Sequence, residues 1–271
     1  MIVILRGGGD LASGVALRLY RAGLQVVITE LPQPLAVRRM VSFAEAIYAG
    51  EAKVEEVSGR RVNDPTDILR ILQVISKGFV PVLIDPDAAS IPTLHPHVVI
   101  DARMLKRTAD LIPSPVKLIV GLGPGFTVGQ NCHAFVETRR GHTLGRVFWQ
   151  GSAEEDTGIP DPVGGKGIER VLRAPADGIL EPHAAIGDHL EEGQPVAEVS
   201  GTAVLSPFRG VLRGLLYEGI PVRAGTKIGD VDPRDDPHYA RMVSDKALAI
   251  GGGVLEAILS RVELRPQLWA R

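Results

Sequence analysis

Short apolar runs alternate with amphipathic stretches along the first half of the chain. The run Ile2 to Leu5 is continuously apolar, which predicts a strand buried on both faces. Apolar residues recur at helical spacing from Asp10 to Arg21, and "QVVIT" (25–29) is a second candidate for a buried strand. A strand, a glycine turn, a helix and a strand within about thirty residues predict a βαβ unit.

The same alternation continues toward residue 150. "DPTDILRILQVISKG" predicts a helix that Asp64 or Thr66 caps, and "VPVLIDP" and "HVVIDAR" predict strands that end in Asp85 and Asp101. We therefore expect an α/β fold with a Rossmann-like, mainly parallel sheet over residues 1–150. Ligands bind such sheets at the carboxyl ends of the strands. The two aspartates are thus candidates for binding a cation or a hydroxyl group, or else they cap loops.

The second half of the chain contains an internal repeat. After a linker rich in glycine, proline and acidic residues (151–168), Gly178 matches Gly210 and Gly193 matches Gly225, an offset of 32 residues. Short strands punctuated by glycines, twice over, predict an all-β domain at 169–233 built from two similar halves packed together. The pattern resembles the biotinyl/lipoyl barrel-sandwich module, but its joint, "VSGTAVLSP", has no carrier lysine. The resemblance then implies a rigid β block or a docking surface.

The C-terminal segment, 234–271, is predicted to be helical from Ser244 onward, with Ser244 as the N-cap. Gly251 to Gly253 lie inside this helix, where each glycine costs roughly 1 kcal/mol relative to alanine. Such a cost indicates close packing or a kink. We expect the helix to pack on the first domain.

Composition and charge exclude several classes of protein. The chain has 271 residues and a formal net charge of −2, so no overall field attracts nucleic acid or an anionic membrane. Cys132 is the single cysteine, which excludes an internal disulfide and a multi-cysteine zinc site. No apolar stretch approaches the roughly 20 residues that span a bilayer. We expect a cytoplasmic protein without a resident metal, a nucleic-acid partner or a membrane anchor.

The turn after the first strand carries the main candidate site. Gly7, Gly9 and Ala12, with Gly8 between the first two, fit G-x-G-x-x-G/A, whose glycines let backbone N–H groups approach a pyrophosphate. Glu30 ends the next strand, where an acid accepts a ribose hydroxyl. Asp10, in the first helical turn, can cap the helix but would also repel a phosphate. The turn therefore holds a nucleotide, holds another phosphate-bearing ligand, or only joins a strand to a helix.

Further candidates follow along the chain. The adjacent Arg38 and Arg39 either offset the charge of an anion at the glycine turn or form a solvated face. A second glycine turn, "GLGPGF", contains Gly123 and Gly125 and ends in Phe126, which is positioned to cover a ligand.

A cluster of charged residues comes next in the chain. Glu137, Arg140 and His142 lie within six residues of one another, beside Arg139. They form either an acid/base and anion-binding group or an exposed hairpin with its own ion pair.

Several long motifs together resemble those of the selenium-dependent molybdenum hydroxylase accessory proteins, the YqeB type. They cover nearly the whole chain: "RGGGDLASGVALRL", "AVRRMVSFAEAIYAG", "GLGPGFTVG", "VETRRGHTLGRV", "RAPADGIL", "GVLRGLL" and "SDKALAIGGGVLEAI". The resemblance implies a role in maturing a molybdenum hydroxylase, which would be the partner, and a Rossmann half similar to XdhC-type chaperones that handle molybdenum cofactor. The family's recurring positions fall on Gly7, Gly9, Asp10, Arg38, Arg39, Gly123, Gly125, Glu137, Arg140 and His142.

Three hypotheses follow. In the first, an accessory protein binds a nucleotide-bearing or molybdopterin-type cofactor between the two glycine turns. In the second, which the Rossmann fingerprint and Glu30 favour, the protein is an oxidoreductase dependent on NAD(P). In the third, it is an assembly scaffold whose glycine turns bind no ligand. Homo-oligomerisation is compatible with all three.

Overall fold

The computed structural model describes residues 1–105, 107–110 and 115–268. It is a mixed α/β structure with one large, mostly parallel sheet and two separate antiparallel sheets. None of the helices in these ranges is both long and apolar enough to cross a membrane.

Contacts divide the chain into two compact units. Eight residues, 35–42, group with the second unit although they lie within the predicted first domain. The sequence pattern of this segment, a loop followed by a helix, does not indicate that it contacts the second unit. The first unit comprises Met1–Pro34, Phe43–Thr157 and Val243–Arg271, and the second comprises Leu35–Ser42 and Gly158–Met242.

The large sheet belongs to the first unit and has nine strands among the residues that the structure describes. Their bounds are β1 Ile2–Arg6, β2 Gln25–Glu30, β3 Glu51–Val54, β4 Val57–Val62, β5 Val80–Ile84, β6 Val98–Asp101, β7 Leu118–Leu122, β8 Ala134–Val136 and β9 Val147–Phe148. The spatial order is β3-β4-β5-β2-β1-β6-β7-β8-β9. The seven strands from β4 to β8 in this order are parallel, and β3 and β9 are antiparallel edge strands. The carboxyl ends of the seven therefore meet at one edge.

The strand order reverses at the centre of this sheet. From β1 the chain moves to β2 on one side and only later to β6 on the other side. A crevice at such a reversal, outside the carboxyl ends of the strands, is where open α/β sheets bind ligands. The crevice between β1 and β6 is therefore the expected ligand site of this sheet.

Helices cover this sheet, and two of them pack closely. The α-helices in the described ranges are α1 Asp10–Arg21, α2 Ala46–Ala49, α3 Ile68–Ser76, α4 Ile91–Leu94, α5 His238–Arg241, α6 Asp245–Ser260 and α7 Arg265–Leu268. A Cβ on Gly14 of α1 would lie 2.6 Å from Ala247 Cβ, and one on Gly251 of α6 would lie 2.9 Å from Gly14 O. Glycine is thus needed where α1 and α6 cross, which is the close-packing alternative and not the kink. The predicted N-cap is also confirmed, because Ser244 Oγ accepts from Ala247 N at 3.2 Å.

The second unit contains two four-stranded antiparallel sheets, ordered as β10-β17-β15-β12 and β14-β13-β11-β16. Its strands are β10 Val171–Arg173, β11 Gly178–Pro182, β12 His189–Leu190, β13 Pro195–Val199, β14 Thr202–Leu205, β15 Gly210–Leu215, β16 Pro221–Val222 and β17 Lys227–Asp232. The strands β11, β12 and β13 begin 32 residues before β15, β16 and β17, which is the offset of the repeat. Since β11 pairs with β16 and β12 with β15, each half contributes strands to a sheet that it shares with the other half.

A buried cluster of charges lies within this β unit. Asp230 on β17 is fully buried and forms ion pairs with Arg170 and Arg213. Asp232, on the same strand, pairs with Arg213 at 3.4 Å and with Arg234 at 2.6 Å. Burial raises the pKa of Asp232, but hydrogen bonds from Arg234 and the charge of Arg213 outweigh it and hold that pKa below its usual value.

Candidate functional site

The first glycine turn begins directly at the carboxyl end of β1. Gly7 has a φ of +95°, which L side chains rarely adopt, and its N–H donates to Thr29 O at 2.8 Å. A Cβ at this position would lie 3.2 Å from Ala102 O, just beyond β6. Glycine is therefore required at Gly7 both by the backbone conformation and by the close approach of the chain after β6.

Glu30, at the end of β2, reaches across to this turn. Its Oε1 accepts from Gly8 N at 2.8 Å, and its Oε2 accepts from Leu31 N at 2.7 Å. Burial raises the pKa of Glu30 above its usual value, although the two N–H donors act in the opposite direction. The carboxylate is thus held in a fixed position beside the glycine turn by the backbone itself.

The substitution Glu30→Gln is expected to change how stability depends on pH. The raised pKa of Glu30 means that its protonated form contributes stability below the ordinary glutamate pKa, and that this contribution is lost as pH rises through the higher folded-state value. Glutamine does not ionise, so the free energy of unfolding of the variant should rise relative to wild type as pH increases. Urea titrations at several pH values between about 4 and 8 measure this difference. A difference that stays constant across the range contradicts the prediction.

Gly9 is the open position of the turn. It is the N-cap of α1 with φ −65° and ψ −177°, and no side chain in the described part of the chain caps the helix there. A Cβ at Gly9 would meet no atom of the described part of the chain within 4 Å. Asp10 follows in the first turn of α1, where its Oδ1 accepts from Leu11 N at 2.9 Å. A ligand that approaches the positive end of the α1 dipole would thus arrive in front of Gly9.

A cluster of charged side chains occupies the crevice next to the turn. Arg6 and Asp101, at the ends of β1 and β6, are both almost fully buried, and Arg6 Nη1 lies 3.5 Å from Asp101 Oδ2. Arg103 Nη2 donates to Asp101 Oδ2 at 2.6 Å and to Asp110 Oδ1 at 2.8 Å. Arg6 Nε is buried without a hydrogen-bond partner among the described residues. The cluster therefore has two positive and two negative side chains, so it fixes the crevice wall without adding net charge.

The second glycine turn lies at the same edge of the sheet. It follows β7, two strands from β1, which is about 10 Å at the usual strand spacing. The Phe126 ring packs directly against Gly121 and is buried. A Cβ on Gly123 would lie 2.5 Å from Thr138 Oγ1, and Gly125 O accepts from Asn131 Nδ2 at 2.9 Å. Protein atoms thus fill the inner side of this turn.

The predicted acid/base cluster follows β8 on that edge. Glu137 is buried, and its carboxylate accepts from the N–H groups of Thr138, Arg139 and Glu154 at 2.6, 2.9 and 3.0 Å. These contacts hold the loop after β8 and join it to the segment after β9.

The two other members of that cluster contact different groups. Arg140 forms a two-bond ion pair with Asp245 at the start of α6, at 2.8 and 2.9 Å. His142 is exposed.

Arg38 and Arg39 belong to the second unit. Arg38 Nη2 donates to the carbonyl oxygens of Tyr239 and Met242 at 3.0 and 2.9 Å. Arg39 Nε donates to Leu215 O at 2.8 Å. Both guanidinium groups thus bind backbone carbonyls of their own unit.

Asp85 caps a loop, which is the second alternative for this residue. Its carboxylate, after β5, accepts from the N–H groups of Ala89 and Ser90.

The single cysteine is buried, and burial raises the pKa of the Cys132 thiol to about 11. Among the described residues, no three side chains of the metal-binding types cluster as a metal site would require.

The structure brings together Gly7, Gly8, Gly9, Asp10 and Glu30, and places Gly123, Gly125, Phe126 and Glu137 further along the same edge. Sequence analysis missed Arg6, Arg103 and Asp110 as parts of the crevice. The available signal was Arg6 itself, a charged residue at the end of a strand that is otherwise continuously apolar.

Comparison with known proteins adds one similar sequence. No protein-family model matches the chain. The curated "Uncharacterized protein YqeB" of Escherichia coli K12 is 43% identical over 258 residues, which are 95% of this chain and 47% of that protein. The chain therefore spans about half the length of the curated relative that it matches.

Similarity to solved structures is weak. An aspartoacylase family protein from Mesorhizobium loti has a TM-score of 0.27 and 13% identity, covering 85% of this chain and 84% of that one. A succinylglutamatedesuccinylase/aspartoacylase from Rhodobacter sphaeroides has a TM-score of 0.26, 15% identity and the same coverages. At these TM-scores neither structure bears on the fold or the activity of this chain. What relates the chain to known proteins is thus its similarity to YqeB.

Proposed function

We propose that this chain is an accessory protein for the maturation of a molybdenum hydroxylase, and that it binds a nucleotide-bearing or molybdopterin-type cofactor at the Gly7–Gly9 turn. The maturation role rests on the sequence motifs that resemble those of the accessory proteins. The binding role rests on the geometry at the carboxyl edge of the large sheet.

The observation that carries the binding proposal is the open position in front of Gly9. It combines the N-terminus of α1, whose N-cap Gly9 has no side chain, a position where a Cβ would meet no atom of the described residues within 4 Å, and the crevice at which the strand order reverses. In the bound state, the N–H groups of Gly9 and Asp10 would donate to a phosphate, as helix N-termini do in other phosphate sites.

Glu30 favours a ligand that also contains a ribose. Its two carboxylate oxygens are each held by one backbone N–H, and a carboxylate has about four lone-pair sites. The remaining sites can accept the two hydroxyl groups of a ribose, which makes a nucleotide-bearing cofactor the best match. The same argument keeps NAD(P) as a candidate cofactor, and an oxidoreductase would reveal itself by turnover of NADH with a substrate panel.

We also infer the finer fold types from the strand arrangement. The first unit resembles a Rossmann fold in the order β5-β2-β1-β6-β7-β8. The second unit resembles a barrel-sandwich module, and its β13–β14 turn consists of Ser200 and Gly201, both with positive φ. A carrier lysine is therefore absent from that turn, and the β unit would serve as a docking block for the client enzyme.

Gly9→Val is expected to weaken cofactor binding by about 100-fold, because the valine side chain would fill the space in which a phosphate would meet the N–H groups of α1. This weakening corresponds to the loss of about two charge-assisted hydrogen bonds. Valine is a poor N-cap and costs the helix about 1 kcal/mol. Gly9→Ser is therefore the second variant, since serine caps well and still fills the space. Equilibrium titrations with NADH and with isolated molybdopterin cofactor, kept anaerobic, measure the affinities. Gly252→Ala, an exposed substitution on α6, is the matched control.

An assembly scaffold is the second candidate. It is favoured because the Gly8 N–H already donates to Glu30 and the Phe126 ring packs on Gly121, so protein groups contact both glycine turns. It predicts that neither ligand binds to wild type, and that a complex with a co-expressed molybdenum hydroxylase survives Gly9→Val. The absence of binding by both ligand classes would remove the cofactor proposal and leave the scaffold.

A further inference from the structure

A groove of about 620 Å³ opens in the first unit, beside β3, β4 and the start of α3. Its charged and amide side chains are Glu51, Arg60, Arg61, Asn63 and Arg70. Three arginines and one glutamate give this lining a formal charge of +2, whereas the whole chain carries −2. The lining of the groove is therefore positive, although the chain as a whole is weakly negative.

Two of these arginines are held in place by other parts of the unit. Arg61 Nη1 donates to Ile47 O at 2.7 Å. Arg60 Nε donates to Glu51 Oε1 at 2.8 Å, and its guanidinium lies 3.9 Å above the centre of the Phe79 ring. A guanidinium that is already positioned loses less conformational entropy when it binds an anion.

Arg70 comes from a different element and completes the lining. It lies on α3, where its Nη1 donates to Gln73 Oε1 at 2.6 Å. Each guanidinium has five N–H donors, and the contacts described for Arg61 and Arg70 use one apiece. The groove thus presents planar donor groups from a strand and a helix, with the amide of Asn63 beside them.

We propose that this groove binds a small oxyanion that carries two or more negative charges, either a phosphate ester or a polycarboxylate. Arginine forks match the geometry of both kinds of oxygen group, and a volume of this size accommodates a small metabolite. The site is separate from the glycine turn, because β4 lies three strands from β1, about 14 Å at the usual strand spacing.

Calorimetric titrations of the full chain with pyrophosphate and with citrate, at low ionic strength, test this proposal. Arg61→Gln and Arg70→Gln are each expected to raise the dissociation constant of the preferred anion by tenfold or more. The matched control is Arg173→Gln, an exposed arginine of β10 whose Nη1 likewise donates to a backbone carbonyl, and it should leave the affinity unchanged. Arg70→Gln removes no contact with the backbone, so it remains informative if Arg61→Gln unfolds.

Preference for pyrophosphate would identify a phosphate ester, and preference for citrate a polycarboxylate. The proposal is overturned if wild type binds neither anion at millimolar concentration, or if Arg173→Gln weakens binding as much as the groove variants do. It is also overturned if Gly9→Val abolishes the binding, since the anion would then occupy the glycine turn. Binding that survives Gly9→Val supports the groove whatever the outcome for the cofactor.

Discussion

Asp230→Asn is expected to lower the free energy of unfolding by about 3–5 kcal/mol, which is the usual cost of removing one partner from a buried ion pair. Asp230 is fully buried and pairs with both Arg170 and Arg213. Asparagine has nearly the same shape but no charge. It would remove the counter-charge that Asp230 supplies to the buried Arg170 and to the partly buried Arg213, which keeps its pair with Asp232. The penalty arises because a buried charge without a counter-charge is poorly solvated.

Urea unfolding followed by circular dichroism measures this loss. The control is Glu154→Gln, which removes the exposed ion pair of Glu154 with Arg139 and should cost less than about 1 kcal/mol. Equal losses for the two variants would show that the buried cluster contributes no more than a surface pair. A loss below about 1 kcal/mol for Asp230→Asn would likewise contradict the expected cost of stranding a buried charge.

Features with local periodicity were predictable from the sequence. The helix α1 and the strands β1 and β2 follow the apolar pattern that predicted them, and the 32-residue offset reappears in the strand starts of the second unit. Even so, one helix start was wrong. The cap of α3 is Asp67, which accepts from Arg70 N, rather than Asp64 or Thr66. Several residues that can cap stand within one turn there, so sequence alone does not choose between them.

Partners distant in sequence were not predictable. Arg6 and Asp101 are 95 residues apart, and only the pairing of β1 with β6 brings them together. The residue types of Arg38 and Glu137 suggested ligand binding. In the structure two backbone carbonyls accept from Arg38, and three backbone N–H groups donate to Glu137. A charged side chain and its partner are both needed to assign a role, and the sequence gives only the first.

The groove beside β3 and β4 illustrates the same limit. Arg60 and Arg61 are adjacent in the chain, whereas Arg70 reaches the groove only because α3 packs next to β4 and β5. No spacing in the sequence marks these three residues as a set. The glycine turn was found because one short motif contains most of it, and the groove was missed because no motif contains it.

Alanine at each of the three consecutive glycines of α6 is expected to give three different results. A Cβ on Gly253 would collide with Gly145 O and lie 2.9 Å from Val136 Cγ1. Gly253→Ala should therefore destabilise the protein by about 3 kcal/mol, the upper range for overpacking. Gly251→Ala should cost less, because its closest contact is with Arg18 Cγ, in a flexible side chain, although Gly14 O lies only 2.9 Å away. Gly252→Ala meets no atom within 4 Å and should stabilise the helix by roughly 0.8–1 kcal/mol.

Thermal and urea unfolding of the three variants measure this order. All three change the same helix by one methyl group, so differences between them report the surroundings of each position and not helix propensity. Equal stabilisation in all three would mean that α6 does not pack against α1 and the Gly145 turn as described. The expected order would instead show that Gly251 is required by the packing of α6 on α1. It would also show that Gly253 is required by the contact of α6 with the loop from Glu137 to Arg146 beside the carboxyl edge of the sheet.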